Sequence, residues 1–194
     1  ILPNWIVGAL LVAGLVTITL YVRHAHRVAH PVIDLKLLRI QTFRTNIWGG
    51  TLFRIGIGAL PFLMPLLLQL GFGLSALNSG LLTFAAAAGA LFMKLTAAPI
   101  LRRFGFKRTM IANAIISAIF LASYSFFQLG TPGWVILVLL LAGGFFRSLQ
   151  FTALNTIAYA DMPPEKMSLA TSFASMAQQL SVSLGVGVGA LALH

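Results

Sequence analysis

Six stretches of the 194-residue chain are almost entirely apolar, and each is about as long as a lipid bilayer is thick. A helix needs about 20 apolar residues to cross about 30 Å of hydrocarbon, whereas a transmembrane strand needs about half as many. Lipid offers the backbone no hydrogen bonds, so segments of this length must be helical. We therefore predict an all-α, polytopic helical membrane protein with six spans, at about 3–22, 46–69, 76–99, 109–128, 133–158 and 168–193.

The composition supports a membrane environment. Only 8% of the residues are charged, against about a quarter in a typical soluble domain. The formal net charge of +10 does not predict nucleic-acid binding, because the basic residues form no continuous face with interleaved aromatic residues. The chain has no cysteine, which excludes disulfides, thiolate metal sites and cysteine nucleophiles.

The basic residues alternate between connections and so predict the topology. Ten of the 13 Lys and Arg residues lie in the connections 23–45, 100–108 and 159–167. The connections 70–75 and 129–132 contain none. Basic loops of membrane proteins face the cytoplasm. We expect a multi-pass protein of the cell (inner) membrane, with residue 1 outside and the basic loops cytoplasmic.

The connection 23–45 is the long one and should contain an interfacial helix. Pro31 precedes it, Asp34 stands at the position of an N-cap, and apolar residues alternate with basic ones up to Arg44. The chain starts at Ile1 without a methionine, and no signal peptide is visible. We interpret it as a fragment of a longer protein.

Three cations, Arg54, Lys94 and Arg147, fall inside predicted spans, where a charge is costly and often functional. Lys94 is near enough to a span end to extend its amine to the headgroups. Arg54 lies about 12 Å inside its span and fits either that interpretation or a functional one. Arg147 lies about 16 Å from the cytoplasmic end of its span. It is expected to face a polar cavity or partner.

Other polar residues form stripes on the predicted helices. In the second span Arg54 shares a face with Pro61 and Pro65, and both prolines should kink the helix. Arg147, Gln150 and Asn155 share a sector of the fifth span. Ser172, Ser175, Gln179 and Ser183 form a seam on the sixth. The serines are expected to make helix–helix hydrogen bonds, whereas Arg54, Arg147, Gln150, Asn155 and Gln179 are candidates for a substrate path.

Several patterns point away from catalysis. The three acids, Asp34, Asp161 and Glu165, all lie in predicted loops, so no span contains a carboxylate. No nucleophile set, metal-ligand set or phosphate-binding loop appears, and we expect neither enzymatic activity nor a cofactor or metal. His24, His26 and His30 are interpreted as histidines at headgroup level. Gly89, Gly185, Gly187 and Gly189 are interpreted as sites of close helix approach.

The third connection resembles a conserved loop of the major facilitator superfamily, a glycine followed by Asp-Arg-x-Gly-basic-basic. In the segment Arg102-Arg103-Phe104-Gly105-Phe106-Lys107-Arg108, the residues Arg103, Gly105 and Lys107 match this motif by position. Arg102 replaces the acid of the family, and Ala98 replaces its leading glycine. The resemblance implies a gating loop formed by Arg103, Gly105, Lys107 and Arg108.

Residues from about 30 to 190 resemble the fourteen-span drug:proton antiporters of that superfamily. The resemblance rests on His30–Leu38, on Arg54-Ile55-Gly56 with Leu60-Pro61-Phe62, and on Asn155–Pro163. It implies an extra span at 1–22, a cytoplasmic linker at 23–45, and the first five spans of the C-terminal bundle at 46–194. One further helix and an N-terminal half would belong to the same chain.

This resemblance also implies a function, namely export of drug-like small molecules by alternating access, with protons as the coupling ion. The titrating group would lie outside this segment, because its spans contain no acid. The alternative is a non-transporting membrane module, such as a channel subunit or an assembly scaffold. An intramembrane enzyme would need a nucleophile or metal set.

Overall fold

The computed structural model of the chain describes residues 4–25 and 33–191, which are helical with no strand among them. Pro31, His26 and His30 lie outside these residues. The predicted all-α fold is confirmed, and each of the six apolar stretches is mainly helical over its described part, with non-helical residues at Ala59 and at 127–128. The α-helices are α1 Asn4–Ala25, α2 Gln41–Gly58, α3 Leu60–Leu66, α4 Ala76–Phe104, α5 Phe106–Ser123, α6 Gly133–Ala158 and α7 Met167–Leu191.

Four helical segments in the described ranges are long and apolar enough to cross a membrane. They are Gln41–Gly71, Ala76–Phe104, Phe106–Phe126 and Gly133–Ala158. Helix α1 contains a shorter apolar stretch, Gly8–His24. Helix α7 has sufficient length, but its sequence includes more serine, glutamine and glycine.

Helix α1 exposes most of its apolar side chains. A hydrogen bond of 2.8 Å from the Ile33 amide to the Tyr21 hydroxyl connects it to the segment before α2. The helix predicted after Asp34 is a short 3₁₀ helix, Leu35–Arg39, and the Asp34 side chain caps it by accepting from the Lys36 amide at 2.9 Å. Leu37 of this helix is buried in the protein, so the segment packs against other parts of the chain as well as lying at the predicted membrane interface.

Helix α2 begins at Gln41, five residues before the apolar stretch that predicted it. Phe43 explains the early start, because its ring is buried and meets Phe173 of α7 edge to face at 5.5 Å. Exposed Arg44 follows on the other side of the helix. A helix that projects beyond the apolar core keeps this amphipathic pattern, which a search for apolar runs does not detect.

The second span is interrupted near its middle. Helix α2 ends at Gly58, and α3 starts at Leu60 with Pro61 in its first turn and Pro65 inside it. A π-helical segment, Leu67–Gly71, completes the span. Proline lacks an amide hydrogen and its ring clashes with the preceding turn, which accounts for this broken geometry.

Only Gly105 separates α4 from α5. Its φ of +73° is a left-handed conformation that favours glycine. The Gly105 amide donates to the Leu101 carbonyl at 3.0 Å, and the Thr109 amide donates to the Gly105 carbonyl at 3.1 Å. The predicted nine-residue connection 100–108 is therefore a one-residue turn, and its basic residues lie on helix ends.

Helix α6 is central and packs against α4, α5 and α2, while α7 packs mainly on α2. Small residues permit these close approaches. A Cβ atom on Gly89 would meet the Leu141 carbonyl of α6, and one on Gly144 would meet the Ala86 carbonyl of α4. Gly185 likewise faces the Ile55 carbonyl of α2. The prediction of close approach is thus confirmed for Gly89, Gly185 and Gly189. A Cβ atom on Gly187 would have no neighbour within 4 Å among the described residues.

The three acids lie outside the α-helices, as predicted.

Hydrophobic clusters close both ends of the bundle. The cluster at the end with the basic loops joins Leu37, Phe43, Ala158, Met162 and Phe173. The cluster at the opposite end joins Met64, Leu68, Tyr124, Ile136 and Leu140.

Candidate functional site

A cavity of about 330 Å³ lies where α3, α4 and α6 meet, and it contains the candidate residue Arg147. We call it the arginine cavity. Helix α6 carries Arg147 eleven residues before its end at Ala158, which places it about 16 Å from that end along the helix. The rest of its wall consists of Leu60, Pro61, Met64, Pro65, Thr83, Ala86, Ala87, Ala90, Tyr124 and Leu140.

Tyr124 also lines the arginine cavity. It lies in a 3₁₀ turn that follows α5, and its hydroxyl donates to the Leu139 carbonyl of α6 at 3.5 Å. Gly143 permits this position, because a Cβ atom there would overlap the Tyr124 hydroxyl. One cation and one phenol therefore face a largely apolar space. Such a space suits a small molecule that combines apolar surface with hydrogen-bonding groups.

Arg54 lies apart from that cavity, buried between α2 and α6, with 1% of its surface exposed. Its side chain extends toward the N-terminal end of α2, the usual direction of helical side chains. There Nη2 donates to the Oδ1 atoms of Asn46 at 3.4 Å and Asn155 at 3.5 Å. The guanidinium also lies over the Phe151 ring, 5.7 Å from its centroid. The charge thus points toward the basic end without reaching the surface.

The Arg54 cluster, formed by Asn46, Gly50, Arg54, Phe151 and Asn155, has unused hydrogen-bonding capacity. Arg54 Nε and Nη1 and Asn46 Nδ2 are buried and have no hydrogen-bond partner among the described residues. Gly50 makes space for the guanidinium, since a Cβ atom there would lie 2.6 Å from Nη1. Three unpaired donors around one cation leave it poorly compensated, because buried donors normally find acceptors.

Gln150 is buried in a contact between α5 and α6. Its Oε1 accepts a hydrogen bond of 2.8 Å from Asn113 Nδ2, which also donates to the Phe146 carbonyl at 2.8 Å. Gln150 therefore joins two helices and lines neither the arginine cavity nor the Arg54 cluster. The three residues of the sector predicted on the fifth span therefore lie in different surroundings. Arg147 lines the arginine cavity, Gln150 joins α5 to α6, and Asn155 belongs to the Arg54 cluster.

Helix α7 exposes the seam that contains Gln179. Ser172, Ser175 and Ser183 are exposed on the same face. The prediction that these serines make hydrogen bonds to other helices is therefore wrong for the described part of the chain. The buried serine is Ser181, which donates to Thr51 Oγ1 of α2 at 3.1 Å. Helices α2 and α7 meet through small residues, and this contact buries the opposite side of α7 from the predicted seam.

Lys94 is exposed on α4, as its interpretation requires. The residues of the predicted gating loop are also exposed. The Arg103 guanidinium lies 5.9 Å from the centroid of the neighbouring Phe104 ring. Gly105 forms the turn, while Lys107 and Arg108 belong to the first turn of α5.

Sequence reasoning missed several polar residues that the fold brings inside. Thr109, Asn113 and Ser117 are buried at intervals of four along α5. That spacing is visible in the sequence and indicates one helical face. Tyr124 and Asn46 carried no comparable signal, because their significance depends on the helices that pack against them. Among the described residues, no group of three or more His, Asp or Glu residues could hold a metal ion.

Known proteins resemble this chain over nearly its whole length. A sequence model of the family described as Major Facilitator Superfamily matches residues 2–186. A protein of Pectobacterium atrosepticum named "Putative multidrug resistance protein MdtD" is 34% identical over 192 residues, which are 99% of this chain and 41% of that protein. Proteins of the same name from Cronobacter sakazakii and Klebsiella pneumoniae are each 33% identical, over 96% and 98% of this chain and 40% of their own lengths.

The chain thus spans about two fifths of the length of the curated relatives that it matches. No solved structure matches it.

Proposed function

Because the chain belongs to the Major Facilitator Superfamily, we propose that it works as part of a secondary transporter that exports drug-like small molecules in exchange for protons. In this proposal it supplies part of the C-terminal half, and residues 46–194 are the first five spans of that half. Residues 1–22 form an extra span, and residues 23–45 form a cytoplasmic linker. The multidrug resistance proteins that it resembles support this assignment.

The observation that carries the proposal is the position of Arg147. A charge deep in a membrane helix is costly unless it faces a polar space or a partner, and Arg147 lies on the wall of the arginine cavity. The cavity is also bounded by Pro61 and Pro65 of the interrupted second span. Irregular backbone at membrane depth is tolerated where it lines a cavity, and substrate sites of transporters are commonly built in this way.

Alternating access requires helices that can change their relative tilt. The break after Gly58 and the π-helical segment Leu67–Gly71 divide one span into pieces that can bend separately. The exposed residues Arg103, Lys107 and Arg108 surround the turn at Gly105. In the proposed carrier this loop makes gating contacts, and the exposed seam with Gln179 faces the N-terminal half.

Efflux from cells tests the proposal. Cells that express the full-length protein should expel a fluorescent cationic dye, and a protonophore should stop this export. Arg147→Ala should abolish export while the amount of protein in the membrane stays unchanged, because the cavity loses the hydrogen-bond donors of the guanidinium. Lys94→Ala is the matched control, since it removes an exposed cation of α4 that does not line the cavity.

Unchanged dye export by Arg147→Ala would show that Arg147 has a structural role and would remove the main support for this site. If the unsubstituted protein exported no dye or other small molecule at all, the alternative of a channel subunit or assembly scaffold would gain support.

A further inference from the structure

A second cavity of about 330 Å³ lies between α4, α5 and α6, near the end with the basic loops. We call it the apolar groove. Ile100 and Phe104 of α4 form one wall, Ala112 and Ile116 of α5 a second, and Phe145 of α6 a third. The arginine cavity shares none of these residues.

The groove opens toward the surface that lipid should cover. Phe104 and Ala112 on its rim are exposed, and so are the neighbouring side chains of Ile111 and Ile115 on α5. Helix α5 belongs to a segment long and apolar enough to cross a membrane. Exposed apolar side chains on such a segment face acyl chains, so a lipid tail can enter the groove from the bilayer.

Basic and polar groups lie beside the groove at one end. Arg108 belongs to its lining, and Arg102, Arg103 and Lys107 are within six positions of it. Thr109 and Asn113 also belong to the lining, but the surface that the groove presents is entirely apolar. The groove therefore combines an apolar interior with an exposed basic residue, Arg108, in its lining.

We propose that the apolar groove binds one anionic phospholipid, with an acyl chain between α4, α5 and α6 and the headgroup phosphate on Arg108. Basic pockets between membrane helices bind anionic headgroups because a guanidinium pairs well with phosphate oxygens. The apolar walls favour a lipid over a free phosphate ion. The lipid would fasten the turn at Gly105 to the bilayer and so influence the relative tilt of α4 and α5.

Native mass spectrometry of the full-length purified protein can test this proposal. The probe is phosphatidylglycerol, compared with phosphatidylcholine of the same acyl chains, each titrated into the delipidated protein. The unsubstituted protein should retain one phosphatidylglycerol molecule at lower lipid concentration than phosphatidylcholine. Arg108→Gln should weaken phosphatidylglycerol binding about fivefold, the effect of one basic residue near an anionic lipid. Phosphatidylcholine binding should hardly change.

Two further variants separate the groove from general surface charge. Arg102→Gln removes a charge of the same loop outside the groove and should retain the preference for phosphatidylglycerol. Ala112→Phe fills the groove from its exposed rim and should reduce the binding of both lipids. Melting temperatures equal to that of the unsubstituted protein would show that the variants are folded.

The proposal fails if Arg108→Gln and Arg102→Gln weaken binding equally, because diffuse electrostatics would then account for it. It also fails if Ala112→Phe leaves lipid retention unchanged, or if the unsubstituted protein retains both lipids equally.

Discussion

Arg54 on α2 and Asn155 on α6 are joined by a hydrogen bond of 3.5 Å, although 101 positions separate them in the chain. Asn155 is exposed, whereas the guanidinium behind it is buried. Asn155 therefore covers a cation at the surface of the bundle. It is one of the two hydrogen-bond acceptors that Nη2 reaches, the other being Asn46.

Asn155→Ala should destabilise the protein by about 1 kcal/mol, because a buried cation loses one of its acceptors. Thermal unfolding in detergent measures the effect. Thr156→Ala is a suitable control, since the Thr156 hydroxyl donates only to the Thr152 carbonyl of its own helix. In an Arg54→Met background, Asn155→Ala should have almost no effect. An equal loss in both backgrounds would show that the hydrogen bond to Arg54 is not the cause.

Gly89→Ala should destabilise the bundle by about 1–3 kcal/mol, because a methyl group would press on the Leu141 carbonyl of α6 and force the two helices apart. Gly80→Ala in the same helix has open space around it and should be neutral or stabilising by up to about 1 kcal/mol. Urea or thermal unfolding of the two variants gives the comparison. Similar stabilities would show that α4 and α6 are not held in close contact.

Tyr124→Phe should raise the KM for export several-fold while the maximal rate stays nearly constant, because the arginine cavity loses its phenolic hydroxyl and retains its shape. The ring contact of Tyr124 with Phe127, at 5.6 Å between centroids, should persist. Transport assays in vesicles over a range of substrate concentrations measure both constants. Ser125→Ala, an exposed change one residue away, should leave them unchanged. A fall in maximal rate alone would contradict a role in substrate binding.

Single cysteines in place of Arg102 and Ala76 should react with a membrane-impermeant thiol reagent from opposite sides of the membrane. Both residues are exposed and lie near the two ends of α4, and the chain contains no other cysteine. The alternation of basic loops predicts position 102 inside and position 76 outside. Labelling in intact cells and in inverted vesicles distinguishes the sides. Reaction of both from one side would contradict the predicted topology.

Apolar length was sufficient to predict the helical segments but not their ends. Phe43 and Arg44 extend α2 beyond its apolar stretch, and Gly105 replaces a predicted nine-residue loop with one residue. The prolines gave a local signal for the break at Ala59, since proline alters the backbone wherever it occurs.

The candidate site was predictable only in part, because its partners come from distant parts of the chain. A charge inside a span singled out Arg54 and Arg147. Only the packing of α2 on α6 shows that Arg54 meets two asparagines, while Arg147 reaches a cavity. The contact of Tyr124 with Gly143 depends on how α6 crosses the end of α5, which periodicity does not determine.

Pro65 also affects what the arginine cavity can recognise. Because it has no amide hydrogen, the carbonyl of Pro61, four residues earlier, has no α-helical donor. Both prolines line the cavity together with Arg147 and Tyr124. A free backbone oxygen together with the donors of Arg147 and Tyr124 would hold a guest that has both a hydrogen-bond donor and an acceptor in a single orientation. A purely hydrocarbon guest could rotate freely there.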